Sequence, residues 1–161
     1  MKKLNLGCGS DIRQDYINLD FQESPGVDIV HNLNKYPWPF EEDEVDEVVM
    51  KNILEHLEDP KKSLLELRRI CKPGSKIYIR VPHFSSCNVW GDIEHKRGFN
   101  YSTFLNQNLQ EYFKVLNQRI TFSHFKFYMR PFANRFPLFY EKHFAYSFPA
   151  VDLLIELEVK K

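Results

Sequence analysis

Short apolar runs broken by glycine, proline and acidic residues organise the first half of the chain. Runs of four to eight residues bounded by turn formers read as strands. This pattern predicts strands over 2–6, 17–20, 27–31, 46–50 and 76–81. The last of these, Lys-Ile-Tyr-Ile-Arg-Val, alternates strictly, as a strand with one buried face does. The segment 11–15 is too short for more than a turn or two of helix. Pro25-Gly26 reverses the chain, Pro37-Trp38-Pro39 breaks regular structure, and the acidic run 41–44 reads as a solvated loop.

One stretch has helical period. Over 60–71 the apolar positions Leu64, Leu65, Leu67 and Cys71 make one stripe. Asp59 is placed to cap this helix, and Pro60 suits a first turn in which its missing N–H has no partner. Pro73-Gly74 is expected to end it. Strands separated by helix-length gaps imply a doubly wound, mostly parallel Rossmann-like sheet with trimmed helices. Beyond Phe84 the pattern changes. A polar, aromatic insertion over 85–111 contains a predicted helix at 102–112. Strand-like runs follow at 115–127 and 151–159, the last taken as an antiparallel C-terminal strand, with a proline- and aromatic-rich stretch at 129–149 between them.

The glycines add chemistry to this frame. The first strand ends in Gly7-Cys8-Gly9, where the backbone turns sharply and a ligand can approach closely. Asp20 ends the second strand, where a carboxylate in a nucleotide-binding βαβ unit accepts hydrogen bonds from ribose hydroxyls. A dinucleotide fingerprint needs a third glycine three residues after the second, and Ile12 stands there. The acid also comes too early for that fingerprint, so the dinucleotide reading weakens and a mononucleoside-type ligand remains open. In a parallel sheet, ligands sit beyond the carboxyl ends of the strands, near the point where strand order reverses. Gly7, Asp20, Asn32, Asn52 and His83 all fall just past such ends.

Taken in order, Leu-Asn-Leu-Gly-Cys-Gly, Asn-Leu-Asp, Ile-Val-His-Asn-Leu, Ile-Leu-Glu-His-Leu and Cys-Lys-Pro-Gly-Ser resemble a class I S-adenosylmethionine-dependent methyltransferase of the small methyltransferase-11-like branch, over about residues 3–84. Asn5 departs from the acid that many relatives carry, and the first crossover is unusually short. The resemblance implies S-adenosyl-L-methionine as cofactor. It implies that Gly7, Cys8 and Gly9 pass under the amino-acid part, Asp20 holds the ribose, Phe21 flanks the adenine, and Asn32 with Leu33 meets the adenine edge. It implies Asn52 and His56 at the methionine end; His56 also reads as a packing histidine. Cys8 is preferred as a small turn residue, His31 as structural, and Glu55 as a helix-start charge.

Composition narrows the partners. The 161 residues suit one domain, with a cofactor-binding core at 1–84 and an acceptor-site insertion plus C-terminal strands at 85–161. Lysine plus arginine equals aspartate plus glutamate at 22 each, which argues against nucleic acid. Three unspaced cysteines, no signal-like leader and no bilayer-length apolar run lead to the expectation of a reduced, cytoplasmic protein. His83, Asp92 and His95 are the candidate acceptor-site residues, with His83 or His95 as base and Lys96 or Arg97 holding an acidic acceptor. The same trio could ligate zinc, but the His-x11-His spacing fits no standard site and no metal is assigned. The expected activity is methyl transfer to a small-molecule or glycan/lipid-type acceptor. The alternatives are a non-catalytic cofactor-binding or interaction protein and, less favoured, a dinucleotide oxidoreductase. The aromatic segment 122–148 is read as a core layer plus a homodimer interface, in preference to a membrane-facing surface.

Overall fold

The computed structural model describes residues 1–161. Its centre is a seven-stranded sheet in the order β3-β2-β1-β4-β5-β7-β6. The strands are β1 (Lys3–Leu6), β2 (Ile17–Asp20), β3 (Ile29–Val30), β4 (Val45–Lys51), β5 (Cys71–Pro82), β6 (Phe113–Ile120) and β7 (Asp152–Val159). Neighbours from β3 to β5 pair in parallel, and β7 runs antiparallel to both β5 and β6. Strand order reverses between β1 and β4, so a crevice opens beyond their carboxyl ends.

Register explains the core. Leu6 pairs with Leu19 and Met50, Met50 with Ile79, and Ile79 with Ile155, so one face of the sheet is a continuous apolar layer. Trp38 and Phe40 pack into it from the β3–β4 crossover. The Trp38 indole N–H donates to the Leu33 carbonyl at 3.0 Å, which satisfies its one polar atom. The other face is polar. On β4, β5, β7 and β6 it presents Lys51, Tyr78, Arg80, Glu156 and Arg119 around a shallow depression of about 600 Å³. Over β1 and β2 that face is covered by the 10–16 loop. Asn5 Nδ2 donates to the Asp11 carbonyl at 2.6 Å and to Asn18 Oδ1 at 3.1 Å, while Asn18 Nδ2 donates to the Arg13 carbonyl at 3.0 Å. These two buried amides hold the short crossover in place of a helix.

Helix α1 (Pro60–Ile70) is the longest helix, at 11 residues. Asp59 caps it by accepting from the Lys62 amide at 2.9 Å. Its buried positions are Ser63, Leu64, Leu67 and Ile70; Leu65 is exposed and Cys71 already belongs to β5, so the stripe sits one step round from the expected one. Pro73-Gly74 therefore does not end the helix. It lies in an irregularity of β5, where pairing jumps from Val45–Cys71 to Glu47–Lys76.

The remaining helices are short: α2 (Cys87–Gly91), α3 (Gln107–Gln110), α4 (Arg130–Arg135) and α5 (Pro137–His143). The helix expected at 102–112 is split at Asn106. A 3₁₀ turn over Tyr101–Leu105 is capped by Asn100, and α3 is capped by Asn106, whose side chain accepts from the Asn108 amide at 3.0 Å. The strand expected over 115–127 stops at Ile120. There Asn134 takes the place of a strand partner: Oδ1 accepts from the Ile120 amide at 2.8 Å and Nδ2 donates to its carbonyl at 2.9 Å. The aromatics of the last third divide. Phe122 and Tyr140 are buried, whereas Phe125, Phe127, Phe136, Phe139 and Tyr146 are exposed. No helix is long and apolar enough to cross a membrane.

Candidate functional site

The glycine turn is locked to the second strand. The Gly7 and Cys8 amides both donate to the Leu19 carbonyl, at 2.8 and 3.1 Å. The Gly9 amide donates to Asp20 Oδ2 at 2.9 Å, and the Gln22 amide donates to Asp20 Oδ1 at 3.1 Å. Each carboxylate oxygen keeps lone-pair capacity for a ligand hydroxyl. Gly7 has φ +64°, and a Cβ there would come within 2.1 Å of Ile53 Cδ1. A larger residue at this position would adopt a strained φ and would have to displace the Ile53 side chain. Burial, then the nearby Asp20, pushes the Cys8 thiol up, in keeping with a packed turn residue rather than a nucleophile.

Two pockets flank the turn that follows β4. The first, of about 370 Å³, is lined by Gly7, Asp20, Phe21, Asn32, Leu33 and His56. Its size falls in the range of small-molecule sites. The structure thus brings together six of the nine residues expected around the cofactor. Cys8 and Gly9 are not part of the lining, and Asn52 lines the neighbouring pocket. Residues not anticipated there are His31, Asn34, Ile53, Leu57 and Glu94. Glu94 comes from a distant loop and has no signal in the motif order; Ile53 and Leu57 belong to the apolar run already noted.

The second pocket, of about 630 Å³, is lined by Asn52, Glu55, His56, Asp92, His95 and Asp152, among others. His56 is common to both pockets and forms their shared wall. Asn52 adopts φ +53°, a left-handed conformation that asparagine tolerates better than most residues, and this turns the chain off β4 toward the second pocket. Asp92 and His95 do come together, with Oδ2 3.6 Å from Nε2. The His56 and His95 rings meet edge to face, with centroids 4.6 Å apart.

Three expectations are corrected. His83 is not at the mouth of the crevice. It is fully buried, with Nδ1 2.8 Å from Ser85 Oγ and Nε2 3.1 Å from Glu141 Oε1, so both ring nitrogens are engaged. Lys96 and Arg97 do not face an acceptor. The Lys96 amide donates to the Glu55 carbonyl at 3.0 Å, and Arg97 donates to the carbonyls of Leu57 and Glu58. They strap the 92–97 loop onto the 53–58 turn. Glu55 is not a helix-start charge on the surface: it is wholly buried, the 53–58 segment is a turn, and burial pushes its carboxyl up to about 7. Burial and the adjacent His95 hold the His56 imidazole below its ordinary value.

Residues 8–79 match the family described as a methyltransferase domain. No curated protein matches the chain. The fold recurs in solved structures. One is the [4+2]-cyclase SpnF, 15% identical, with a TM-score of 0.66 over 98% of this chain and 75% of that one. Another is a SAM-dependent methyltransferase from Archaeoglobus fulgidus, 19% identical, with a TM-score of 0.65 over 98% of this chain and 85% of that one. A third is the N-methyltransferase NodS from Bradyrhizobium japonicum WM9, solved with S-adenosyl-L-homocysteine, 12% identical, with a TM-score of 0.63 over 99% of this chain and 78% of that one. At these identities the likeness is one of fold. The domain match takes in the second half of the glycine turn and the acid-tipped second strand, so the first half of this chain is similar to a methyltransferase domain.

Proposed function

We propose that the 370 Å³ pocket holds S-adenosylmethionine and that the 630 Å³ pocket receives a small-molecule or glycan/lipid-type acceptor, with the methyl passing beside His56. One observation carries this reading: a single side chain, His56, walls both pockets. Bound cofactor supplies a methyl already activated by its sulfonium. The chain has to align two reactants, which can lower the barrier by several kcal/mol as effective molarity. In this reading Asp20 and the turn at Gly7 and Gly9 orient the nucleoside and amino-acid parts. Phe21, Asn32 and Leu33 contact the adenine, and Asn52 stands on the acceptor side. Residues 1–84 form the cofactor half; residues 85–161 complete the acceptor half, where Asp92 and His95 face the acceptor.

The exposed aromatics Phe125, Phe127, Phe136 and Phe139 are assigned to contact with a second copy of the chain. Phe136 and Phe139 both pack against Phe132, and exposed apolar patches favour an interface. Sedimentation should show a dimer that Phe125→Ser with Phe139→Ser reduces to monomer; a monomeric wild type that floats with anionic vesicles would assign the patch to lipid instead.

A thermal-shift screen tests the cofactor assignment. S-adenosylmethionine or S-adenosylhomocysteine at 100 times its Kd adds about 2.7 kcal/mol of stability. NAD should leave the midpoint unmoved. A shift with NAD and none with either sulfur ligand refutes the assignment.

A further inference from the structure

The floor of the acceptor pocket holds a group that neither packing nor the cofactor accounts for. Glu55 is 0% exposed, and neither carboxylate oxygen has a hydrogen-bond partner. A buried ion without a partner costs several kcal/mol. Two imidazoles approach Glu55, while Arg80 and Asp152, which line the same pocket, are paired with each other. His95 Nε2 lies 3.9 Å from Glu55 Oε1, and one donor atom from each of Glu55, His56 and His95 lies within 4.8 Å of the other two. Asp92 Oδ2 is 3.6 Å from the same His95 nitrogen. His95 Nδ1 is also buried without a partner. At these separations the Glu55–His95 contact is too long to be a hydrogen bond.

A cation would close the gap. Bonds of about 2.0–2.2 Å from one ion to nitrogen and oxygen donors put those donors about 3–4 Å apart. We propose that Glu55, His56 and His95, with Asp92 on the solvent side, bind a divalent transition cation of the Zn²⁺ or Mn²⁺ type at the floor of the acceptor pocket. Two imidazoles with carboxylates suit that class, whereas Ca²⁺ and Mg²⁺ favour oxygen donors. The donors sit on two segments already tied together, since Lys96 and Arg97 fasten the 92–97 loop to the 53–58 turn. His83, the third member of the zinc trio considered from sequence, lies elsewhere; Glu55 and His56 stand in its place. Open positions on the ion would face the pocket and hold an oxygen of the acceptor. That last statement rests on the acceptor reading above; the binding of the ion does not.

The test uses the full chain, free of any affinity tag and stripped with chelator. ZnCl₂ and MnCl₂ are titrated calorimetrically, and Co²⁺ is followed by visible absorption. One ion per chain with a micromolar or lower Kd is expected. Glu55→Gln and His95→Ala should each weaken it at least tenfold and change the Co²⁺ spectrum, with circular dichroism unchanged. Stoichiometry near zero, or binding that survives both substitutions, overturns the proposal. S-adenosylhomocysteine is titrated into the same samples. Its binding without any cation binding removes the metal site and leaves the cofactor pocket standing; the reverse removes the cofactor reading alone.

Discussion

The Gly9 amide donates to the Asp20 carboxylate at 2.9 Å, so the residue expected to read the ribose also fastens the turn beneath it. Removal of that carboxylate acts on both. Hydrogen bonds to a charged acceptor contribute about 1.5–3 kcal/mol each. Asp20→Ala should weaken S-adenosylhomocysteine at least tenfold and lower the melting midpoint. Asp20→Asn keeps one acceptor oxygen and should fall between wild type and alanine in both calorimetry and thermal melts.

The two glycines of the turn should respond unequally. Both have positive φ, but only at Gly7 would a Cβ strike a neighbour, Ile53 at 2.1 Å. Gly9→Ala meets nothing within 4 Å and should cost about 1–2 kcal/mol of conformational strain. Gly7→Ala should cost more, and Ile53→Ala should recover part of the excess. A double-mutant cycle in urea should therefore show a coupling between positions 7 and 53 of about 0.5–3 kcal/mol, the range for residues in contact; additive effects would contradict the contact.

Trp38 links core and pocket. It is 1% exposed and bonds the carbonyl of Leu33, which lines the cofactor pocket. Trp38→Ala should cost about 3–5 kcal/mol in chemical denaturation. Trp38→Phe keeps most of the packing but leaves the Leu33 carbonyl unpaired, about 1–3 kcal/mol. It should also weaken S-adenosylhomocysteine binding in calorimetry.

Glu66 should make part of the stability depend on pH. Burial alone would raise its carboxyl, but hydrogen bonds from Arg69 and the Trp38 amide, with the Arg69 charge, outweigh burial and hold it below its ordinary value. A carboxyl depressed in the folded state contributes stability above its unfolded pKa of about 4.3, and loses it as pH falls through the folded value. The gap between wild type and Glu66→Gln, from urea melts, should be largest at neutral pH and shrink as pH drops below 4.

How much of this could be read from sequence follows from how local each cause is. The first two strands, the glycine turn and α1 are set by neighbours within a few residues: Gly7 and Gly9 at a strand end, and Asp59-Pro60 ahead of a helical stripe. They were legible. The positions of His83 and Glu55 are set from afar. His83 is held by Glu141, 58 residues on, and Glu55 is closed over by the loop that carries His95 and Lys96. A Leu-Glu-His-Leu run has no local mark showing that its glutamate turns inward. The end of β6 at Ile120 likewise depends on Asn134, which lies beyond the next turn. Short crossovers held by the buried amides Asn5 and Asn18 look like loop in any periodicity scan.

The central claim is that the tips of the first, second and fourth strands, with the loop beyond the third, form one cofactor pocket. Calorimetric titration of S-adenosylhomocysteine into the wild-type chain and into Asp20→Ala tests it most directly. The account predicts one molecule bound per wild-type chain and at least a tenfold loss in the variant. No measurable binding to the wild type, or equal affinity in both proteins, would contradict it.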